Sequence, residues 1–197
     1  MQKIKLIALD LDGTALDEKS RLTERTKRVL EQAAEAGIYL IAASGRAYSS
    51  LPEDVMALKG LTYAITSNGA ATYDPKKGER SFSCPMEEEK VEELLELLRE
   101  EPETAIEVFW QGHPLASRAF LENPVSYGAP KRVIPYLQRT RTPVNDIYAF
   151  IWEHKKELDA LDIANHPESV NGMTHCCGHH AQGAAMLGIA AALKEPG

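Results

Sequence analysis

The sequence predicts an α/β fold: a parallel core sheet with a second α/β region inserted into it. Three observations carry this expectation. Short apolar runs alternate with helical spacing from Ile4 to Ala70. The three runs each end in a small polar or acidic residue followed closely by glycine. The middle of the chain then shows strand and helix patterns of its own, separated by turn signals.

Ile4 to Leu9 is the first run, and Asp10-Leu11-Asp12-Gly13-Thr14 follows it directly. Two carboxylates two residues apart at a strand's end can share one reaction. The first can attack phosphorus and form an acyl phosphate. The second, past the end of the pleat, can lie beside the leaving oxygen and pass it a proton. Gly13 lets the backbone turn sharply with positive φ. On this pentapeptide alone, an ordinary acidic strand-to-loop turn reads the same way.

A helix follows, with Thr23 as N-cap, Val29, Leu30 and Ala33 at helical spacing, and Gly37 as its stop. The second run, Ile38 to Ala43, leads into Ser44-Gly45-Arg46. Ser50-Leu51-Pro52-Glu53 then predicts a capped helix with proline in its first turn, ending at Gly60. The third run, Tyr63 to Ser67, leads into Asn68-Gly69. The second and third runs have the length of strands covered on both faces. Strand, helix, strand, helix, strand implies right-handed crossovers. In such sheets ligands sit outside the carboxyl ends of the strands. Ser44 offers a hydroxyl there, and the backbone N–H groups around Gly45 can hold an anion.

The middle reads as a separate region. Asp74-Pro75-Lys76-Lys77-Gly78 is a turn between two short strands, and the chain leaves the core near Ser81 to Pro85. Glu87 to Glu101 predicts a helix with Val91, Leu94, Leu95 and Leu98 on one face. Its charge run reads as a solvated face, with Glu87, Glu88 and Glu89 suited to a helix N-terminus. Ile106 to Trp110, Gln111-Gly112 and Leu115 to Ser117 predict a hairpin. Ile147 to Ile151 reads as another strand, followed by a helix from Glu153 to Leu161 and a short strand around Asp162.

DLDGT at Asp10, ASGR from Ala43 to Arg46 and TSNGA from Thr66 to Ala70, at this spacing, resemble the haloacid dehalogenase superfamily. The likeness is to its Cof-type phosphatases with a type IIB cap, and similarity of order extends over most of the chain. It implies a parallel Rossmann-like core at residues 1–81 and 178–197, with an α/β cap domain at 82–177. It also implies Asp10 as nucleophile and Asp12 as general acid and later base. Ser44 and Gly45 would bind the transferring phosphoryl group, with Asn68 on the same rim. Asp10, with the backbone carbonyl of Asp12, would hold Mg²⁺. A cap of this kind closes over the rim, excludes water and chooses the leaving group. Trp110 and His113 could contact substrate there, or serve as hairpin packing and surface.

The same resemblance leads one to expect a lysine-glycine pair after the cap, then a helix, a strand and an acidic metal loop. Here Gln182 stands at the lysine position, and the residues end at Gly197 before a metal loop is read. The expectation is therefore a core truncated at the C-terminus, with weakened Mg²⁺ binding and impaired activity. The exposed edge beside the first strand would be a pairing template, so self-association is one outcome and the oligomeric state is open. His175-Cys176-Cys177-Gly178-His179-His180, with Cys84, has the ligand types of a zinc site but lacks CxxC spacing. Small apolar fillers in a hinge are the alternative.

With 197 residues and 44% hydrophobic content, the chain can bury a core of one to two domains. A formal net charge of −7 argues against nucleic acid or an anionic membrane as partner. No run approaches the roughly 20 apolar residues a membrane helix needs. Three cysteines suggest no disulfide framework, and no signal-peptide pattern is read, so a cytoplasmic location is expected. Two functions remain open: a Mg²⁺-dependent phosphomonoester phosphatase acting on a small phosphorylated metabolite, or an impaired relative that binds phosphate in a regulatory role. A third reading is that these residues are a fragment of an active enzyme.

Overall fold

The computed structural model describes residues 4–100 and 104–165. Gln182, the stretch from His175 to His180 and the expected core segment 178–197 lie outside the described residues. The chain divides into two compact units, with the division after Ser83.

The first unit is built on a five-stranded sheet of β1 (Leu6–Asp10), β2 (Tyr39–Ala43), β3 (Leu61–Thr66), β4 (Ala71–Asp74) and β5 (Glu79–Ser83). The strands lie in that order. The first three are mutually parallel, and β4 and β5 add antiparallel. Side chains of β2 alternate between two apolar clusters, as the pleat demands. Leu40 and Ala42 pack with Leu11, Leu30, Val55 and Ala64, whereas Ile41 and Ala43 pack with Ile65. Fully burying a leucine or isoleucine contributes roughly 1.5–3 kcal/mol, so these two strands anchor the unit. Among the described residues β1 is an edge strand.

Helix α1 (Glu24–Glu35) starts where expected, with the Thr23 hydroxyl accepting from the Thr26 N–H, and Gly37 follows it at φ 82°. Its inward face differs from expectation. Leu30 is buried with Ala33 and Ala34 beside it, while Val29, 100° around an α-helix from Leu30, is 54% exposed. The helix predicted from Ser50 to Gly60 is corrected to one turn, α2 (Glu53–Met56). Pro52 holds Leu51 in an extended conformation, as a residue before proline prefers, and Ser50 belongs to a separate 3₁₀ turn, Tyr48–Ser50. The Ser50 hydroxyl is buried without a hydrogen-bond partner instead of capping a helix.

The second unit contains α3 (Glu88–Arg99), β6 (Ala105–Trp110), β7 (His113–Ser117), α4 (Arg118–Glu122), α5 (Ile134–Thr140), β8 (Thr142–Val144), α6 (Ile147–His154) and β9 (Leu158–Asn165). Its sheet order is β8-β7-β6-β9. The β6–β7 hairpin and helix α3 match the sequence pattern; Val91, Leu95 and Leu98 face inward. The expected strand from Ile147 to Ile151 is corrected to helix α6. Asp146 caps it by accepting from the Ala149 N–H, and Ile147 and Ile151 are both buried one turn apart. A short apolar run fits a buried strand or a buried helix equally well by periodicity alone. The predicted helix from Glu153 is in turn the end of α6, a turn, and β9 paired antiparallel to β6. Helices α4 and α5 and strand β8 had no clear sequence signal. Among the described residues no helix is long and apolar enough to cross a membrane.

Candidate active site

Asp10 is the last residue of β1 and lies in register with Ala43, the last residue of β2. The backbone then leaves the pleat. Asp12 is extended at ψ 121°, Gly13 takes φ 77°, and the Leu16 N–H closes a wide turn onto the Leu11 carbonyl at 3.0 Å. Leu11 is fully buried and fastens this turn to the core. Thr14 donates its hydroxyl to Asp10 Oδ2 at 2.6 Å, which leaves Oδ1 as the other carboxylate oxygen.

The next two strand ends are tied together by backbone. Ser44 N–H donates to Ile65 O at 3.0 Å, and Ser67 N–H donates to Arg46 O at 2.9 Å. Ser44 is 2% exposed, and its Oγ accepts from the Arg46 N–H at 3.2 Å. A hydroxyl carries one donor besides its acceptor sites, so the Ser44 proton is available to an anion. Ser67, Asn68 and Gly69 all take positive φ, at 51°, 57° and 97°. A non-glycine residue held there costs about 1–3 kcal/mol. The turn sets the Asn68 side chain against Gly45: a Cβ on Gly45 would lie 2.6 Å from Asn68 Oδ1. Glycine leaves this space open at Gly45; a methyl there would force the end of the Asn68 side chain to move. The five residues expected at the site, Asp10, Asp12, Ser44, Gly45 and Asn68, all lie on the carboxyl rim of three adjacent strands.

Sequence reasoning left two residues without a role. Thr14 fixes the Asp10 carboxylate, as above. Arg46 grips Asp12: Nε donates to Oδ2 at 2.8 Å and Nη2 to Oδ1 at 2.6 Å. The same guanidinium reaches the Ser50 carbonyl and Ser20 Oγ, both at 3.3 Å. A full cation two residues beyond a rim serine, opposite two acidic residues, was the available signal. Trp110, by contrast, packs edge-on to Phe150 with ring centroids 5.6 Å apart and lies against His154, while His113 is exposed. Cys84 is an exposed free thiol.

The donor set at the rim consists of hard oxygens, the type Mg²⁺ takes. Both carboxylate oxygens of Asp12 are engaged by Arg46, so the ligands this loop would offer are the Asp10 carboxylate and the Asp12 backbone carbonyl. Mg²⁺ retains several waters and takes substrate phosphate oxygens, which suits two ligands on one turn. Among the described residues no group of three or more His, Cys, Asp or Glu side chains stands together for a metal.

Residues 7–174 match the family described as haloacid dehalogenase-like hydrolase. A 5-amino-6-(5-phospho-D-ribitylamino)uracil phosphatase of Bacillus subtilis is 32% identical over 71 residues, covering 36% of this chain and 28% of that protein. A pyridoxal phosphate phosphatase of Escherichia coli is 38% identical over 96 residues, covering 49% and 35%. A solved haloacid dehalogenase-like hydrolase of B. subtilis superposes with a TM-score of 0.58 at 24% identity, over 75% of this chain and 56% of the other, and so agrees in fold. The matched stretch spans roughly a third of these two curated relatives. Strand order, rim motifs and a family match over most of the sequence agree: the chain belongs to the haloacid dehalogenase-like hydrolases.

Proposed function

We propose that this chain is a Mg²⁺-dependent phosphomonoester phosphatase for small phosphorylated metabolites, working through an aspartyl phosphate on Asp10. The observation that carries the reading is the convergence of two carboxylates, a buried serine hydroxyl and an asparagine-backed glycine turn on one sheet rim. Two relatives named for phosphatases of small phosphorylated metabolites support the substrate class.

In the first half of the reaction an Asp10 carboxylate oxygen attacks phosphorus while the bond to the leaving oxygen breaks, and Asp12 gives that oxygen a proton. In the second half Asp12 takes a proton from water as the water oxygen attacks phosphorus. The Asp10–phosphorus bond then breaks and inorganic phosphate is released. The Ser44 hydroxyl and the Gly45 N–H donate to the phosphoryl oxygens as charge moves onto them. Thr14 holds one Asp10 oxygen so that the other is presented for attack. Mg²⁺, when bound, would offset the negative charge that Asp10 and the phosphate bring together. The test is acid quenching during turnover of a phosphomonoester, followed by peptide mass analysis. A phosphoryl group on Asp10 is the expected result; steady turnover that never labels Asp10 rejects the mechanism.

A second reading, phosphate binding without turnover, draws on one observation: both oxygens of Asp12 accept from Arg46. Calorimetry with inorganic phosphate and Mg²⁺, set beside the turnover assay, separates the two. Binding with no labelled Asp10 and no product selects the binding protein.

A further inference from the structure

We infer that Arg46 is a positioning residue that sets the angle and reach of the Asp12 carboxylate during proton transfer, an inference that rests on the phosphatase reading above. Asp12 sits on a turn with 53% of its side chain exposed, so packing alone does not orient its carboxylate. The guanidinium does. Its planar fork meets both carboxylate oxygens, a geometry that fixes the carboxylate plane as well as its distance.

The fork itself is held from behind. The Arg46 side chain is 14% exposed and reaches the Ser50 carbonyl at the end of the 3₁₀ turn. That turn begins at Tyr48, whose ring stacks on Tyr73 of β4 with centroids 4.0 Å apart and an interplanar angle of 14°. The arginine is therefore bonded to a turn that is itself stacked on the sheet, and the aspartate is bonded to the arginine. While Asp12 carries the proton it will hand to the leaving oxygen, the protonated oxygen gives up its Arg46 N–H and the other keeps one. When it activates water, both oxygens are again acceptors. Lysine cannot do this: its ammonium is a point charge without a fork.

The test uses leaving groups of different need. An alkyl phosphomonoester needs a proton on its leaving oxygen, whereas p-nitrophenolate departs without one. For the full chain and for Arg46→Lys, kcat/KM is measured on both esters at saturating Mg²⁺. Misplacing a catalytic group by about 1 Å can cost on the order of 10²-fold, so a fall of roughly 10- to 100-fold is expected on the alkyl ester. On the nitrophenyl ester the change should be small. The same substitution is then made in Asp12→Asn, where its effect on the alkyl ester should vanish, because the partner through which it acts is gone. Equal losses on both esters, or an undiminished Arg46→Lys loss in Asp12→Asn, would overturn the inference and leave a brace of the loop. Absence of turnover of either ester by the unaltered chain overturns the phosphatase reading, and this inference with it. Melting curves of each variant show whether folding accounts for a loss; an Arg46→Lys loss explained by unfolding also counts against positioning.

Discussion

Arg46 and Arg141 each hold a carboxylate 34 positions away through Nε and Nη2, but the two pairs lie in contrasting surroundings. In the second unit the Arg141 and Glu107 side chains are 11% and 5% exposed, and the guanidinium lies over the Tyr136 ring at 5.1 Å. Burial disfavours its charge, yet Glu107 and Tyr136 together more than offset this and hold the guanidinium above its usual range. In the first unit Asp12 is half open to solvent. A buried pair is costly to half-break, since one charge is left behind in a poor medium. Where the carboxylate is half in water, breaking the pair leaves that charge solvated, so on the phosphatase reading it can exchange partners during a reaction. The contrast teaches that a guanidinium–carboxylate pair fastens a core where solvent is excluded, and on the proposed mechanism can serve as a clamp that lets go of one oxygen where the carboxylate is open to water.

The largest expected effect falls outside both pairs. Asp10→Asn should bring phosphatase turnover down to background, because an amide does not form the acyl phosphate, while melting is hardly changed. Asp12→Asn should lower turnover by about 10²–10⁴-fold. Parallel steady-state assays and thermal melts check both, and surviving turnover in Asp10→Asn would break the functional side of the comparison. Next comes the buried pair. Arg141→Met should destabilise by about 3–5 kcal/mol, read by urea unfolding, and Glu107→Leu in the same chain should recover most of that loss. A double variant no more stable than the single one would show that Glu107 needs no guanidinium beside it.

Gly45→Ala sharpens the comparison at the rim. The new methyl meets Asn68 Oδ1 at 2.6 Å, the free end of a side chain that can rotate away. The expected result is a several-fold rise in KM with little change in melting; an unchanged KM would show that Asn68 and the Gly45 turn do not meet the phosphate. The smallest effect is the stability of Arg46→Ala, expected to fall by less than that of Arg141→Met, because the Asp12 carboxylate it leaves behind is half in water and not stranded in the core. A loss as large as that of Arg141→Met would erase the distinction between clamp and fastener.

Parts of this were readable in the linear chain. The three parallel strands and the residues at their ends were legible because each is a local pattern: an apolar run, a polar residue, a glycine. Helix α3 was legible because Val91, Leu95 and Leu98 recur at helical spacing. Residues 147–151 were misread because an apolar run that short suits a strand as well as a helix; the Asp146 cap and the partners of Ile147 and Ile151 chose the helix. The helix from Ser50 failed for the opposite reason, since a good capping pattern was overruled by Pro52 and by the burial of Ser50 in a separate turn.

What the sequence by itself determined is therefore the three parallel core strands and the identity of Asp10, Asp12, Ser44, Gly45 and Asn68 as rim residues. Only the tertiary structure decided that Arg46 closes on Asp12, that Arg141 closes on Glu107, and that Asn68 stands where a Gly45 side chain would be. The reason is physical: backbone sterics and side-chain period act within a few residues and leave a mark on the sequence. A guanidinium finds its carboxylate only after two strands have paired and brought distant loops to one edge.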